Sequence, residues 1–442
     1  SAVRSFRAGL NHFYKFSNNI SNTTSIFGSG INSDASSAGG WTDKDPINYG
    51  FRTVFNTNFN LNENFQLFGK TGMEAQRQNG QTIGYRMIVN AANPDAYNVI
   101  GPLKSNTYSE SETSSYFTEW RLTMPYELSL TAGIGLSTMN IKLSDRLTEN
   151  ELAQPSDYSR TYNDMVSPHV AINKIFNDQI SVYASYSTGY KAPVSSYFFI
   201  PTTGQVNRDL KPEKGTQFEI GSKGSFLKDK LNYQLALFQT KFKDKMTVVA
   251  VPNSENTATA YTYVANGGIQ NHKGLEAAIS YDLYDSKEGF FTTIKPFANL
   301  TLSDFKYEEF KFQQLSSDKT NIAETDYSGN TVVGVPPVVF NAGIDVASKI
   351  GIYANATYSY RDAMYFTSDE ANRTKAFNLL NAKLGYNTTL LEHFSLDLYA
   401  GVNNITGTQH YNMVFLNQLP DAYIPAPSET NYYGGVNLKY TF

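Results

Sequence analysis

The chain has no cysteine, which excludes disulfides and thiolate metal sites and leaves the compartment open. Charged residues make up 17% of the 442 residues, below the roughly 25% of ordinary soluble domains. The formal net charge is only −4, and no basic stripe runs along the sequence, so no nucleic-acid partner is expected. No run of about 18 apolar residues is present, which excludes a membrane-spanning helix. Catalytic signatures are also missing. The five histidines (His12, His169, His272, His393, His410) are scattered, without the i, i+4 spacing of a helical zinc site. There is no Gly-x-Ser-x-Gly and no phosphate-cradling glycine loop. The expectation is a non-enzyme with no metal and no cofactor. The start, Ser1-Ala2-Val3-Arg4, carries neither a Met nor a signal peptide and reads as an interior or processed point of a longer chain.

Aromatic residues are abundant, with 31 Tyr and 29 Phe, yet mean hydropathy is negative. That combination fits strands of which only alternate residues face lipid. Period-two patterning supports this. Leu128, Leu130, Ala132, Ile134 and Leu136 alternate with Ser129, Thr131, Gly133 and Gly135. Phe394, Leu396, Leu398, Ala400 and Val402 alternate with Ser395, Asp397, Tyr399 and Gly401. A helix would need three-four spacing instead. About seventeen such segments are predicted, among them 230–250 and 261–284. The fold class is therefore all-β, a transmembrane antiparallel β-barrel.

Connections alternate in length. Short ones fall at Ser17-Asn18-Asn19, Asn62-Glu63, Pro125, Asn177-Asp178, Lys228-Asp229, Lys287-Glu288, Ser348-Lys349 and Leu391-Glu392. Long ones cover 30–46, 78–111, 147–160, 192–213, 251–260, 311–335, 367–374 and 406–429. Outer-membrane barrels keep short turns on the periplasmic side and long loops outside. The last strand, with Tyr432, Gly434, Val436, Leu438, Tyr440 and Phe442 on one face, thus ends in the periplasm. Its terminal aromatic resembles that of outer-membrane proteins, which implies recognition by the barrel-assembly machinery. An odd strand count leaves an open edge, which lipid does not tolerate, so further strands are expected upstream.

Several segments, in order, carry a family resemblance. The first is Val182-Tyr183-Ala184-Ser185-Tyr186-Ser187-Thr188-Gly189-Tyr190, followed by Leu210-Lys211-Pro212-Glu213 and Gln217-Phe218-Glu219-Ile220-Gly221-Ser222-Lys223. Next come Asn266-Gly267-Gly268 with Gly274-Leu275-Glu276, and Gly401-Val402-Asn403-Asn404-Ile405 through Tyr411. With terminal Phe442, this order resembles the C-terminal part of TonB-dependent outer-membrane receptors of the siderophore-receptor kind, over residues 161–442. The resemblance implies a 22-strand barrel filled by an N-terminal plug. On that basis residues 1–442 are all barrel domain, and the plug and first strands lie outside them. It also implies location in the bacterial outer membrane, contact with its lipid, and active import of a ferric siderophore or similar scarce nutrient with energy from TonB, ExbB and ExbD acting through the plug. An oligosaccharide or vitamin receptor of the same family and a passive porin-like channel are the alternatives.

Aromatic rings give large contact area with few rotors to freeze. The ligand-binding candidates are therefore Tyr197, Phe198 and Phe199 in one long loop, Tyr261 and Tyr263 after another, and Tyr411 in the last. Tyr365-Phe366 caps a further loop and suits a membrane-interface girdle more than a binding rim. Pro212 suits the start of a strand. Glycines 189, 221, 267, 268 and 274 suit strand bending or close approach of a plug, and Glu219 and Lys223 suit hydrogen bonds to that plug.

Overall fold

The computed structural model describes residues 2–37, 40–93, 98–147, 157–177, 179–200, 205–252, 259–286, 288–315, 322–390, 393–417, 423–426 and 429–441. Phe442, Asp178, Lys287, Leu391-Glu392 and most of the expected loop 147–160 lie outside the described residues. Among them, seventeen strands have ten residues or more. In chain order they are β1 (Ala2–Lys15), β2 (Ile20–Ser37), β3 (Ile47–Asn62), β4 (Phe65–Ile88), β5 (Val99–Met124), β6 (Leu128–Asp145), β7 (Asp157–Phe176), β8 (Ile180–Lys191), β9 (Glu213–Phe226), β10 (Leu231–Lys243), β11 (Ile269–Tyr281), β12 (Phe291–Glu309), β13 (Val338–Ser348), β14 (Ile352–Arg361), β15 (Phe377–Leu390), β16 (Phe394–Asn403) and β17 (Asn431–Tyr440). The chain divides into two compact units, Ser1–Ile172 with Tyr186–Gly215, and Asn173–Ser185 with Thr216–Phe442.

In the first unit β1 to β6 form an antiparallel meander in which each strand pairs with the next. In the second unit β10 to β17 do the same. Alternation separates the faces as expected. Leu130, Ile134 and Leu136 of β6 and Leu235 and Leu237 of β10 are exposed on one side. The opposite side is polar and internally hydrogen-bonded. In the first unit Ser25 Oγ donates to Asn11 Oδ1 at 2.6 Å. In the second, Tyr183 Oη donates to Glu219 at 2.7 Å, and the Gln217 amide donates to the same carboxylate at 2.8 Å. Glu219 is thus held by Gln217 of its own strand and Tyr183 of the strand before it.

The short turns demand unusual backbone. Tyr126 (φ 62°) and Glu127 (φ 57°) between β5 and β6, and Leu227, Lys228 and Asp229 between β9 and β10, all occupy the left-handed region. Consecutive left-handed residues match the twist of a tight hairpin. The turn between β11 and β12 is longer than its sequence suggested and holds a further pair, Tyr284–Asp285 against Ile294 and Thr293.

Two expectations about the long connections need correction. Much of 30–46 and 78–111 is strand. Gly40–Lys44 pairs with the end of β2, and β4 and β5 stay paired out to Ile88 and Val99. Serine, threonine, asparagine and glycine there read as loop, but strands clear of lipid need no apolar face. Conversely, 230–250 and 261–284 are each broken. Gly268 (φ 78°) and Asp244 (φ 52°) face one another across the break, and the Asn266 amide donates to the Asp244 carbonyl at 2.6 Å. A separate hairpin, Met246–Pro252 with Thr259–Asn266, follows. A Cβ on Gly268 would collide with the Glu309 carbonyl, which is why Asn-Gly-Gly stands there.

Several of the glycines within strands have another use. Gly343 pairs across strands with Phe297, Gly385 with Tyr353, Gly401 with Tyr433 and Gly435 with Tyr399. In each the ring lies over the bare Cα, so that an added Cβ would meet the ring or nearby backbone. Gly221 under Tyr183 and Gly274 under Phe238 repeat the arrangement, a covering of glycine by a neighbouring aromatic. At Gly221 and Gly274 the bare Cα provides room for a ring.

Candidate functional site

The long connections of the second unit form one packed assembly. Beyond β12, the hairpin Lys311–Leu315 with Ile322–Asp326 leads into 327–337. There Tyr307, Phe310 and Val332 make a buried core, joined by Phe305, Tyr327 and Val335. The connection 362–376 buries Met364 and Phe366. The connection 404–430 carries a hairpin, Tyr411–Val414 with Tyr423–Pro425.

Polar ties link the three. Thr331 N–H donates to Glu370 Oε1 at 2.6 Å, and the Asn330 amide donates to the Ser368 carbonyl at 2.9 Å. Asn417 N–H donates to the Phe366 carbonyl at 2.8 Å, and Ser368 N–H donates to Asn417 Oδ1 at 2.8 Å. Gly334 N–H reaches the Tyr365 carbonyl at 2.8 Å. Backbone groups satisfied across loops hold those loops in one arrangement.

The Thr331 N–H holds the Glu370 carboxyl below the usual carboxylate range. A depressed folded-state pKa stabilises fully above the ordinary value of about 4.3 and is lost as pH falls through the lower, folded value. The tie between 327–337 and 362–376 is therefore expected to loosen in acid. Limited proteolysis of the detergent-solubilised protein at about pH 3.5 and pH 7 checks this. Cleavage in 327–337 should rise in acid relative to an unfolded control, and Glu370→Gln should flatten the difference. A difference that persists unchanged in Glu370→Gln would remove Glu370 from the account.

On this assembly sits an aromatic cluster. The Phe366 and Tyr423 rings meet edge to face at 5.3 Å. Tyr411 lies 5.9 Å from Tyr423 and 5.3 Å from Phe377. His410 lies 5.5 Å from Phe377, and the Tyr411 hydroxyl is 3.3 Å from Thr374 Oγ1. Tyr423, Ile424 and Met413 remain exposed, and the Arg373 guanidinium covers Tyr365 at 5.4 Å. An apolar, ring-rich patch with a cation and hydroxyls at its margin can grip a flat or polycyclic solute and orient it.

Of the residues singled out from sequence, Tyr411 lies in this cluster. Tyr261 and Tyr263 share one strand of the Met246–Asn266 hairpin, paired with Val251 and buried Val249. Tyr263 is half-buried, and the side chains of Tyr261 and Phe199 lie outside the described residues. In the first unit Tyr197 is half-buried at the end of a 3-10 turn, Ser195–Tyr197. Phe198 has no exposure. It packs on Tyr158 at 5.5 Å, and Tyr162, Leu210 and Met165 are buried in the same unit. Tyr162 Oη donates to the Leu210 carbonyl at 2.7 Å, so Leu210-Lys211-Pro212 anchors the loop just before β9 begins at Glu213. Phe366, expected in a membrane girdle, is instead a buried prop of the loops, only 4% exposed. Sequence reading missed Tyr423, Thr374 and Arg373, which fall in connections without period-two patterning, and Phe377, which opens β15.

Residues 2–405 match the family model described as TonB dependent receptor-like, beta-barrel. The chain belongs to that family. It is a β-barrel protein of the bacterial outer membrane, in a family of transport receptors and not of enzymes. Among curated relatives, the ferripyoverdine receptor of Pseudomonas aeruginosa is 37% identical over 116 residues, covering 26% of this chain and 14% of that protein. The pesticin receptor of Yersinia pestis is 24% identical over 323 residues, covering 71% of this chain and 42% of its own. The fold is shared with the siderophore receptor PiuA of Acinetobacter baumannii, with TM-score 0.73 and 17% identity over 98% of this chain and 65% of that one. The ferric citrate transporter FecA superposes with TM-score 0.74 and 15% identity, covering 99% of this chain and 61% of its own. The chain thus spans less than two thirds of these relatives.

Proposed function

We propose that this chain is the barrel of a receptor that captures a ferric siderophore or similar scarce nutrient at the cell surface and imports it with energy from TonB. The observation that carries the reading is the aromatic cluster of Tyr411, Tyr423, Phe366 and Phe377 on interlocked outer loops. A fixed, partly apolar platform loses little entropy on binding. The printed names of relatives, a ferripyoverdine receptor and a siderophore receptor among them, support an iron chelate as the cargo. In this proposal Tyr197, Tyr261 and Tyr263 are further candidates for ligand contact, each within its own unit, and Phe198 holds its loop from within. The whole of residues 1–442 serves as barrel, with the plug supplied by sequence outside it and engaging TonB, driven by ExbB and ExbD. Outer-membrane lipid covers the apolar faces.

The test is uptake. Deleting the gene should abolish accumulation of one radiolabelled ferric chelate from a panel. Restoring it with Tyr411→Ala and Tyr423→Ala together should weaken binding of that chelate roughly tenfold, a loss of about 1.4 kcal/mol. Unchanged uptake of every chelate, with lost uptake of a sugar or vitamin, would redirect the reading to another cargo. Steady ion conductance in planar bilayers without concentrative uptake would replace import with a passive channel.

A further inference from the structure

The apolar face of the second unit holds a groove that nutrient capture does not use. Its volume is about 730 Å³, and Phe218, Ile220, Leu237, Leu275 and Leu302 line it. Phe218 and Ile220 are exposed on either side of Glu219, whose carboxylate is held on the opposite, hydrogen-bonded face. The groove therefore opens toward lipid, away from the lumen that a plug fills.

The register sets its outer edge. Leu237, Leu275 and Leu302 form one row across β10, β11 and β12. The next row is Gln239, Lys273 and Asp304, which also line the groove. The row after is Lys241, Asn271 and Lys306. All three strands thus turn from apolar to polar at one level. β10 starts at a short turn and runs away from it, so that level lies at the outer edge of the apolar band. Each further row stands about 5 Å higher, at about 3.4 Å per residue and a tilt of about 45°. The lysines are therefore at the depth of the outer-leaflet headgroups.

Lys273 is diagonal to both Lys241 and Lys306 in the register, and diagonal neighbours lie about 7–8 Å apart. Three ammonium groups on flexible stems can converge on one phosphate from there. Lys241 also pairs with Glu308, and Lys306 Nζ donates to Thr331 Oγ1 at 3.0 Å. Lys273 is exposed and, among the described residues, forms no ion pair. The Gln239 amide donates to Asn271 Oδ1 at 3.0 Å. That leaves the Gln239 oxygen and the Asp304 carboxylate to accept from hydroxyl groups. Cations for a phosphate, acceptors for sugar hydroxyls and a leucine floor for acyl chains describe one amphiphile. We propose that this groove holds a phosphorylated glycolipid of the outer leaflet, with its phosphate on Lys241, Lys273 and Lys306.

The experiment is native mass spectrometry of the full-length receptor in detergent with added diphosphoryl lipid A. A one-to-one adduct is expected. Lys273→Gln with Lys306→Gln should weaken it about tenfold to thirtyfold, at about fivefold per lysine. Lys349→Gln with Lys439→Gln, both exposed and near the short-turn end, should leave it unchanged. Heat-modifiable migration on gels confirms that each variant is folded. Equal binding of dephosphorylated lipid A or of phosphatidylethanolamine, or unchanged binding by the Lys273 and Lys306 double variant, would overturn the proposal. So would full competition by inorganic pyrophosphate at matched concentration, which would mark a soluble-anion site. Chelate uptake is read separately, so loss of the lipid site with intact uptake would leave the transport reading standing.

Discussion

Replacing Asn404 with alanine is expected to free the loop that carries Tyr411 and Tyr423. Asn404 is only 2% exposed and sits at φ 53°, a region that costs other L-residues about 1–2 kcal/mol. Its amide nitrogen donates to the Thr408 carbonyl at 2.8 Å and also to the Glu429 carbonyl. Its side-chain oxygen accepts from Thr408 N–H at 3.0 Å. Its own N–H donates to Asn381 Oδ1 at 2.8 Å, and its carbonyl accepts from Thr430 Oγ1 at 2.9 Å. One side chain thus joins both ends of the 404–430 connection. Alanine keeps the strained backbone and loses three bonds of roughly 1 kcal/mol each. The expected loss is about 3 kcal/mol of local stability. Hydrogen exchange across 405–417 reads it, with a rise of about a hundredfold, since 1.4 kcal/mol is tenfold. Asn404→Gly, which relieves the backbone alone, should fall between. Protection equal to wild type in Asn404→Ala would show that the loop is held elsewhere, by Asn417 and Tyr423.

The second large effect concerns Gly385. It stands between Tyr353 of β14 and Tyr399 of β16 in the register. A leucine there would occupy the space of the Tyr353 ring. That ring donates through its hydroxyl to Asp397 at 2.8 Å and lies 5.3 Å from Lys383 Nζ. Overpacking of this kind costs about 1–3 kcal/mol, and the displaced hydrogen bond adds roughly 1 kcal/mol. Gly385→Leu should lower the unfolding temperature in detergent, read by the gel-mobility shift on heating. Combining it with Tyr353→Ala should recover part of the loss, because removing the ring makes room for the new side chain. If the double variant were no better than the sum of the single changes, the ring would not be the obstacle.

Much of this molecule is legible in its sequence. Strict alternation in β6 and β16 sorts residues between two faces of unlike polarity, as a sheet wetted by lipid on one side and water on the other requires. Short turns and long connections have different tasks, so their lengths give direction to the chain. The order of weak motifs pointed to the family, because each marks a place where the backbone has few options. Asn266-Gly267-Gly268 breaks a strand, Leu210-Lys211-Pro212-Glu213 seals a loop, and Asn404 ties one.

The tertiary structure decided what alternation cannot encode. Cross-strand register, not local sequence, puts Tyr353 over Gly385 and aligns Leu237, Leu275 and Leu302 in one row. Loops lack periodicity, so nothing along the chain distinguishes Tyr411, at the surface cluster, from Phe198, sealed beneath its loop. The strands follow from the sequence because their burial repeats every second residue. The proposed binding surface exists only once connections distant in sequence have packed together.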